Sequence, residues 1–566
     1  MAERALRTEI LLVVVVLLTA VVAPRLGCSW FRAAERALGR LARRRKLSIL
    51  LVGILPLVLR AALLPFFPIP EPAIHDEFSY LLAADTFASG RLTNPPHPLW
   101  KHFESFHIIQ QPTYMSMYPP AQGMALAAGK VLFGHPWAGV FLSVGVMAGA
   151  ILWMLQGWLP PEWALLGAVL AVLRAGILSG SMNDYAGGAV AALGGALLLG
   201  ALPRLRRKER IRDALLLALG VAILANSRPY EGMVLSLTVA AALPAWRLLR
   251  RRVVLPILLV LALTAGGMGY YFWRVTGSPF RMPFQVNRDT YAVASVLVWR
   301  APRPVPTYRH PVMRDFYVDW ELPALLYARR PANLPTFLLY KVTTLDLFYL
   351  GPALTLPLLT SLYVLRDRRT RFLVIAAAVF LVGLALEVWI APHYASPLTA
   401  AIYGIVAQAM RHLRLCRWPR QAGAPGSSRR EGAGLFMVRA IPLICSFTLT
   451  MCAVFPHGHI SESCKGREIF RSPVMTWLNK QSGRHLLLVR YKPNHDPLRE
   501  WVYNEADIDR ARIVWAREMD ASSNRRLLQY FKDRRAWLLE PDEVPTTLSE
   551  YPRQENAGSS WKGPDR

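Results

Sequence analysis

Charged side chains are scarce in this chain of 566 residues, at 18% of the total, against about 25% in soluble domains. Acidic residues are scarcer still, 37 against 66 Lys and Arg. Apolar residues reach 53% and gather into separate segments bounded by arginines. That pattern excludes a string of soluble domains, and length here counts membrane helices instead. Cysteine is also rare. Cys28, Cys416, Cys445, Cys452 and Cys464 form no CxxC pair and no metal-type spacing, so neither a structural zinc site nor a redox motif is expected.

A basic stripe with interleaved aromatics is missing from the polar part of the chain. The formal charge is +29, but residues 456–566 hold 19 Lys and Arg against 16 acidic residues, while 1–455 hold 47 against 21. The excess sits in short blocks between apolar segments, as cytoplasmic loops require, and nucleic acid is excluded as a partner.

The apolar segments predict about twelve crossings, near 9–24, 47–66, 136–157, 162–180, 184–202, 213–226, 230–248, 253–273, 346–365, 372–391, 395–412 and 435–455. The first follows Arg4 and Arg7 and is short, like a signal peptide. A basic stretch follows it rather than a small-residue cleavage site, so it reads as an anchor. Loops 25–46, 203–212, 247–252, 366–371 and 411–430 are strongly basic. Placing them in the cytoplasm puts 67–135, 274–345 and everything after 455 on the opposite side, with no conflict of parity. Loop 274–345 carries ten Lys and Arg. Long loops escape the charge rule, and Arg281, Arg288, Arg300, Arg303, Arg309 and Arg314 are candidates for contact with anionic headgroups.

Two stretches of the first outer loop read as helices in the membrane interface. One runs from Pro72 to Ser89, with Ile74, Phe78, Leu81 and Leu82 at helical spacing and Gly90 as a stop. The other is 119–133, started by Pro119 and Pro120. Residues 484–566 change character, with strands expected at His485–Tyr491, Arg512–Ala516 and Ala536–Glu540 and a helix from Ser523 to Lys532. The expected fold is thus an α-helical polytopic membrane protein with a small C-terminal α/β domain. Its divisions are 1–46 (anchor and basic loop), 47–455 (transmembrane domain) and 456–566 (periplasmic α/β domain), with 420–434 a linker by composition.

Acidic residues on the outer side are few, and His75-Asp76-Glu77 is the densest group. Carboxylates beside hydrocarbon are costly unless paired, although Asp76 and Glu77 also suit the first turn of a helix. Tyr118, Asp184, Arg228, Glu231, His393 and Tyr394 fall at the outer ends of apolar segments, so several elements would converge on one outer cavity. Each has a simpler reading too. Asp184 suits a cap, Arg228 and Glu231 suit an internal pair across the turn at Pro229, and His393-Tyr394 suits an interfacial anchor.

An acidic pair in the first long outer loop, Tyr118-Pro-Pro before an interfacial helix, about ten further crossings and an outer C-terminal domain together resemble the GT-C membrane glycosyltransferases. Among these the chain looks most like the family 39-like bacterial relatives of protein O-mannosyltransferases and aminoarabinose transferases. The resemblance covers roughly 45–455. It implies a multi-pass enzyme of the cytoplasmic (inner) membrane that moves a sugar from a polyprenyl-phosphate carrier to a lipid, protein or polysaccharide acceptor on the periplasmic side. The acidic residue of that family's loop falls on Asp76, with Glu77 the adjacent alternative. A second acidic position is represented only by Asn183-Asp184.

The chemistry agrees. A glycosyl phosphate leaves as a stabilised anion and needs electrostatic help, which an arginine supplies. The attacking hydroxyl needs a base, and a carboxylate raised by an apolar boundary would serve. The expected roles are Asp76 as base, Glu77 supporting it or holding a divalent metal ion, Arg228 on the phosphate, and His75, Tyr118, Glu231, His393 and Tyr394 lining the substrate pocket. No cofactor is implied beyond a candidate divalent metal ion. Two other classes compete: a lipid-linked glycan transporter, for which Arg60 and Arg174 are the candidate intramembrane charges, and a non-catalytic partner in glycan assembly.

Overall fold

A computed structural model describes residues 2–244, 246, 250–415, 432–454, 471–552 and 560–562. Cys416, Cys464, most of the 420–434 linker and much of loop 411–430 lie outside these residues. The chain divides into two compact units: 1–70, 140–265 and 334–465 form the first, and 71–139, 266–333 and 466–566 form the second.

The described elements of the first unit are all helices. Helices occupy all the apolar segments expected to cross, among them Arg45–Ala62, Pro161–Ala175, Ile211–Ala225, Pro229–Ala242 and Thr399–Leu413. Among the described residues four helices are long and apolar enough to span a bilayer: Trp137–Trp158, Ala189–Arg207, Arg251–Thr276 and Ala433–Val454. The others are shorter or carry more charge. The crossing expected at 346–365 is not one straight helix, because the chain bends by 97° between Pro331–Tyr349 and Gly351–Arg366. Gly351 sits at φ 61° there, a conformation that costs a residue without Cβ little. Apolar composition marks the segment but says nothing of a bend inside it.

Two strong-looking intramembrane charges prove to be braces. Arg60 is buried and donates to Asn183 Oδ1 (3.0 Å) and to the carbonyls of Phe67 (2.8 Å) and Pro68 (3.0 Å). Arg174 donates to Glu9 (3.0 Å) and to the Leu347 carbonyl (2.8 Å).

The second unit is assembled from three stretches distant in sequence. Its sheet runs in the order β4-β3-β5-β6-β7, with β3 (His485–Val489) parallel to β4 (Ile513–Arg517) and β5 (Arg535–Glu540), and β6 (Thr547–Glu550) antiparallel to β5. β7 is Ser560–Lys562; β1 (Ile108–Ile109) and β2 (Met115–Ser116) form a separate two-stranded pair. Side chains alternate across the sheet. Leu487, Val489, Trp515, Trp537 and Leu539 pack with Val474, Leu478 and Trp501 on one face. On the other, Leu486, Leu488, Val514 and Ala516 share a core with Leu82, Phe103, Ile108 and Tyr114 of the first loop.

The helix His75–Ala88 therefore differs from the expected membrane-surface element. Leu82 is in that core, and Phe78 stacks on Tyr503 at 4.3 Å. Helical spacing of apolar residues reveals a buried face without revealing whether lipid or protein covers it. Helix Pro120–Phe133 does keep an outward apolar end, with Val131, Leu132 and Phe133 exposed. Gly123 lets it approach the first helix, since a Cβ there would lie 2.7 Å from that of Ala83.

The arginines of 274–345 also depart from expectation. Arg288 pairs with Glu321 at 2.7 Å, Arg309 with Glu104 at 3.1 Å, Arg314 with Asp319 at 2.7 Å, and Arg281 and Arg303 with Asp289. Their partners are carboxylates of the same unit rather than headgroups. Arg517, also buried, donates to Glu500 (2.6 Å) and to the Glu104 carbonyl (2.7 Å), tying the C-terminal sheet to the first loop.

Candidate functional site

In the second unit, Asp76 opens the helix His75–Ala88 at the end where the peptide dipole favours a negative charge. One of its oxygens, Oδ1, collects three neighbours. His107 donates through Nδ1 at 2.6 Å, Tyr118 donates its hydroxyl, and His75 Nε2 lies 3.6 Å away. Tyr118 is held over Tyr80 by stacking at 4.5 Å, and its hydroxyl lies 2.9 Å from His107 Nδ1. Among the described residues no donor reaches Asp76 Oδ2, and the side chain is 23% exposed. The carboxylate is therefore anchored through Oδ1 and partly exposed.

His107 is the residue the sequence did not single out. It adopts φ 57°, a left-handed conformation uncommon outside glycine but commoner in His than in most residues. Its carbonyl accepts from the hydroxyl of Ser79 (2.7 Å), one turn along the helix from Asp76, and from Met117 N–H (3.2 Å). Ser79 in turn meets Ser116 at 2.8 Å. Phe106 and Phe316 stack at 4.3 Å beside the two imidazoles, making a dry wall.

Burial pushes the Asp76 carboxyl up, but the adjacent His75 and the hydrogen bonds from His107 and Tyr118 outweigh it and hold the group well below the usual carboxylate range. This reverses the expected raised carboxylate, since an apolar boundary counts for less than two good donors. His75 is lowered to about 4, by burial first and by His107, against the pull of Asp76. At neutral pH the centre is an aspartate beside a neutral His75.

Glu77 is placed apart in role. It is fully buried, and Oε2 accepts the backbone N–H groups of Ala73 (2.9 Å) and Ile74 (3.2 Å), capping the helix start. The donor set able to hold a cation is instead His75, Asp76 and His107, whose ligand atoms all lie within 4.8 Å of one another. Two imidazoles and a carboxylate suit a zinc-like ion, and His75 Nδ1 is buried without a hydrogen-bond partner.

The first unit gathers the remaining candidates. Arg228 precedes Pro229 at the start of its helix, lies 3.7 Å from Glu231, and covers the Tyr394 ring at 4.5 Å. His393 packs on Tyr394 at 5.1 Å. Lys341 and Glu387, which the sequence did not flag, stand nearby: Lys341 Nζ donates to the carbonyls of Leu384 (2.7 Å) and Glu387 (2.5 Å), and Glu387 Oε2 is buried without a hydrogen-bond partner. Asp184 accepts from its own turn at Ala186 N–H (2.7 Å). The structure thus brings His75, Asp76 and Tyr118 together in one unit and Arg228, Glu231, His393 and Tyr394 together in the other.

The described residues combine a set of apolar helices with an α/β unit whose core takes in residues of the first loop. Solved structures of similar fold are found. Apo ArnT from Cupriavidus metallidurans superposes with a TM-score of 0.50 at 14% identity, covering 86% of this chain and 92% of that one. The same protein bound to undecaprenyl phosphate gives 0.50 at 13%, covering 87% and 92%. The archaeal oligosaccharyltransferase AglB from Archaeoglobus fulgidus, in complex with an inhibitory peptide and a dolichol-phosphate, gives 0.41 at 11%, covering 90% and 70%. No protein-family model and no curated protein matches the sequence. The fold of this chain is that of the GT-C glycosyltransferases.

Proposed function

We propose that the chain is a multi-pass glycosyltransferase of the cytoplasmic membrane, with about twelve crossings, that transfers a sugar from a polyprenyl-phosphate donor to an acceptor on the outer side with inversion. The observation that carries this reading is the Asp76 carboxylate, anchored through Oδ1 by His107 and Tyr118 and partly exposed. ArnT, whose fold it shares, has been solved with undecaprenyl phosphate.

In this reading Oδ2 accepts the hydrogen bond of the acceptor hydroxyl and aligns it on the anomeric carbon. A carboxylate held low is a weak proton sink, yet it suffices if the proton leaves late. Once the new bond has begun to form, the hydroxyl oxygen carries positive charge and is far more acidic than an alcohol. Arg228 remains the candidate that the sequence offers for the departing phosphate, as an arginine suits that anion. A divalent ion held by His75, Asp76 and His107 would add a Lewis acid at the acceptor or phosphate oxygen. The transporter reading has lost its support, because Arg60 and Arg174 are committed to backbone carbonyls and fixed side chains.

The test is mass spectrometry of lipids copurified with an Asp76→Ala variant of the full chain. A retained polyprenyl-phosphate sugar, absent from the active protein after acceptor is added, is expected. An Asp76→Ala variant that carries no such lipid and consumes none, while the unaltered chain also transfers no sugar from any polyprenyl-phosphate donor, overturns the proposal.

A further inference from the structure

A cavity of about 840 Å³ in the first unit lies along the helix Cys28–Arg43, far in sequence from every residue discussed above. Ser29, Arg32, Arg36, Arg40 and Arg43 line it from that helix, and Glu162 lines it from the next. At about 100° per residue the four arginines fall within about 80° of arc, a continuous basic face. Glu35 and Gly39 also line the cavity, and the exposed apolar residues lie on the other side of the cylinder. Cys28, Gly39 and Ala42 are buried, while Trp30 is 59% exposed and Leu38 55% exposed.

The acidic groups around the cavity are already engaged. Glu162 takes Arg43 at 3.2 Å, and Glu35 takes Arg439, from Ala433–Val454, at 2.7 and 2.9 Å. Arg36 and Arg40 have no carboxylate partner among the described residues. Arginines along one side of a helix with exposed Trp and Leu on the other are the signature of a helix lying in a bilayer interface. Planar guanidinium forks match phosphate oxygens.

The geometry points to a binding site for the phosphate headgroup of an anionic phospholipid, with Arg36 and Arg40 as the principal contacts and Trp30 and Leu38 dipping toward the acyl chains. The site rests on the membrane reading of the chain but not on its chemistry. It holds the segment before Arg45–Ala62 to the lipid surface.

Native mass spectrometry of the full chain, released from nanodiscs holding equal phosphatidylglycerol and phosphatidylcholine, tests this. Preferential retention of phosphatidylglycerol is expected. An Arg36→Gln/Arg40→Gln double variant should retain it about 30-fold less well, at about fivefold per charge. The exposed pair Arg525→Gln/Arg526→Gln, with the same charge loss, should leave retention unchanged. If the glutamine variant does not fold, Arg36→Lys/Arg40→Lys should fold and keep partial retention, and raising salt from about 50 to about 500 mM should strip the lipid from the unaltered chain. Equal loss in both glutamine pairs, undiminished retention in Arg36→Gln/Arg40→Gln, or displacement by millimolar inorganic phosphate overturns the proposal. Sugar transfer is not read in any arm, so a chain that binds the lipid yet transfers nothing refutes the proposed activity alone.

Discussion

Replacing Asp76 with Asn separates chemistry from folding in a way the site geometry makes quantitative. The amide oxygen can still accept from His107 and Tyr118, so the native arrangement at Oδ1 survives. What changes there is the strength of two charge-assisted bonds, worth about 1–2 kcal/mol in stability. A domain stable by about 5–15 kcal/mol remains folded in more than about 99% of molecules after that loss. At Oδ2 the change is qualitative, because an NH₂ donor stands where the acceptor hydroxyl needs an acceptor. Turnover should fall by about 10²–10⁴-fold, or about 3–5 kcal/mol of transition-state stabilisation. Donor affinity should move little. The assay is sugar transfer by the full chain in lipid vesicles, with donor binding and thermal unfolding measured on the same preparation. Near-normal turnover, or a loss of donor binding as large as the loss of rate, would refute the role assigned to Asp76.

Glu77→Gln removes the charge from a buried cap that serves two backbone N–H groups; it should cost about 1–3 kcal/mol of stability, seen as a lowered unfolding temperature with kcat changed less than threefold. Arg228→Lys keeps the charge but loses the planar fork and the stacking on Tyr394, so titration should show weaker donor binding as well as slower transfer, and unchanged binding would remove Arg228 from the phosphate site. His75 sits at about 4 in the folded chain and near 6.5 when unfolded. Between those values the unfolded state binds the extra proton, so stability should fall with decreasing pH by up to about 3 kcal/mol; unfolding of His75→Phe across pH 7 to 4 should lose that component, and an unchanged slope would contradict it. Cysteines placed at Ser89 and Ser523 should be labelled from one side of the membrane and at Ser428 from the other, and common labelling of all three would break the topology.

Much of the helical unit is legible from sequence because its signals are local. Twelve apolar segments bounded by arginine became helices, and Pro119-Pro120 and His75-Asp76-Glu77 marked helix starts that the structure contains. The strands at His485, Ile513 and Arg535 were legible for the same reason, their apolar runs being short and set between turn signals. His107 was not legible. Its relation to Asp76 spans 31 residues and depends on a left-handed backbone and on Ser79 and Ser116, none of which leaves a periodic trace. Lys341 counted only as one more charge of loop 274–345, and Glu387 was missed because a charge inside an apolar run looks like a flaw in the span until its neighbours are known. The surface role given to Phe78 and Leu82, and the headgroup role given to Arg288 and Arg309, failed on one point: a sequence shows what a side chain needs, not who supplies it.

The three-part construction of the unit that holds Asp76 sets an order of manufacture. Leu82 and Phe103 leave the ribosome roughly 400 residues before Leu486 and Leu488, their partners in the core, and at about 5–20 residues per second the delay is tens of seconds. For that interval the part of the Asp76 helix's apolar face that meets the C-terminal sheet lacks its cover, and the bilayer surface or a chaperone must shelter it. Glu104 likewise waits for Arg517. A chain stopped near His457 would never end the wait, so its Asp76 would stand on a helix with one flank bare. Activity should therefore arrive last, with the closing of the sheet, and pulse-labelled chains should pass through a protease-sensitive stage that the finished protein lacks.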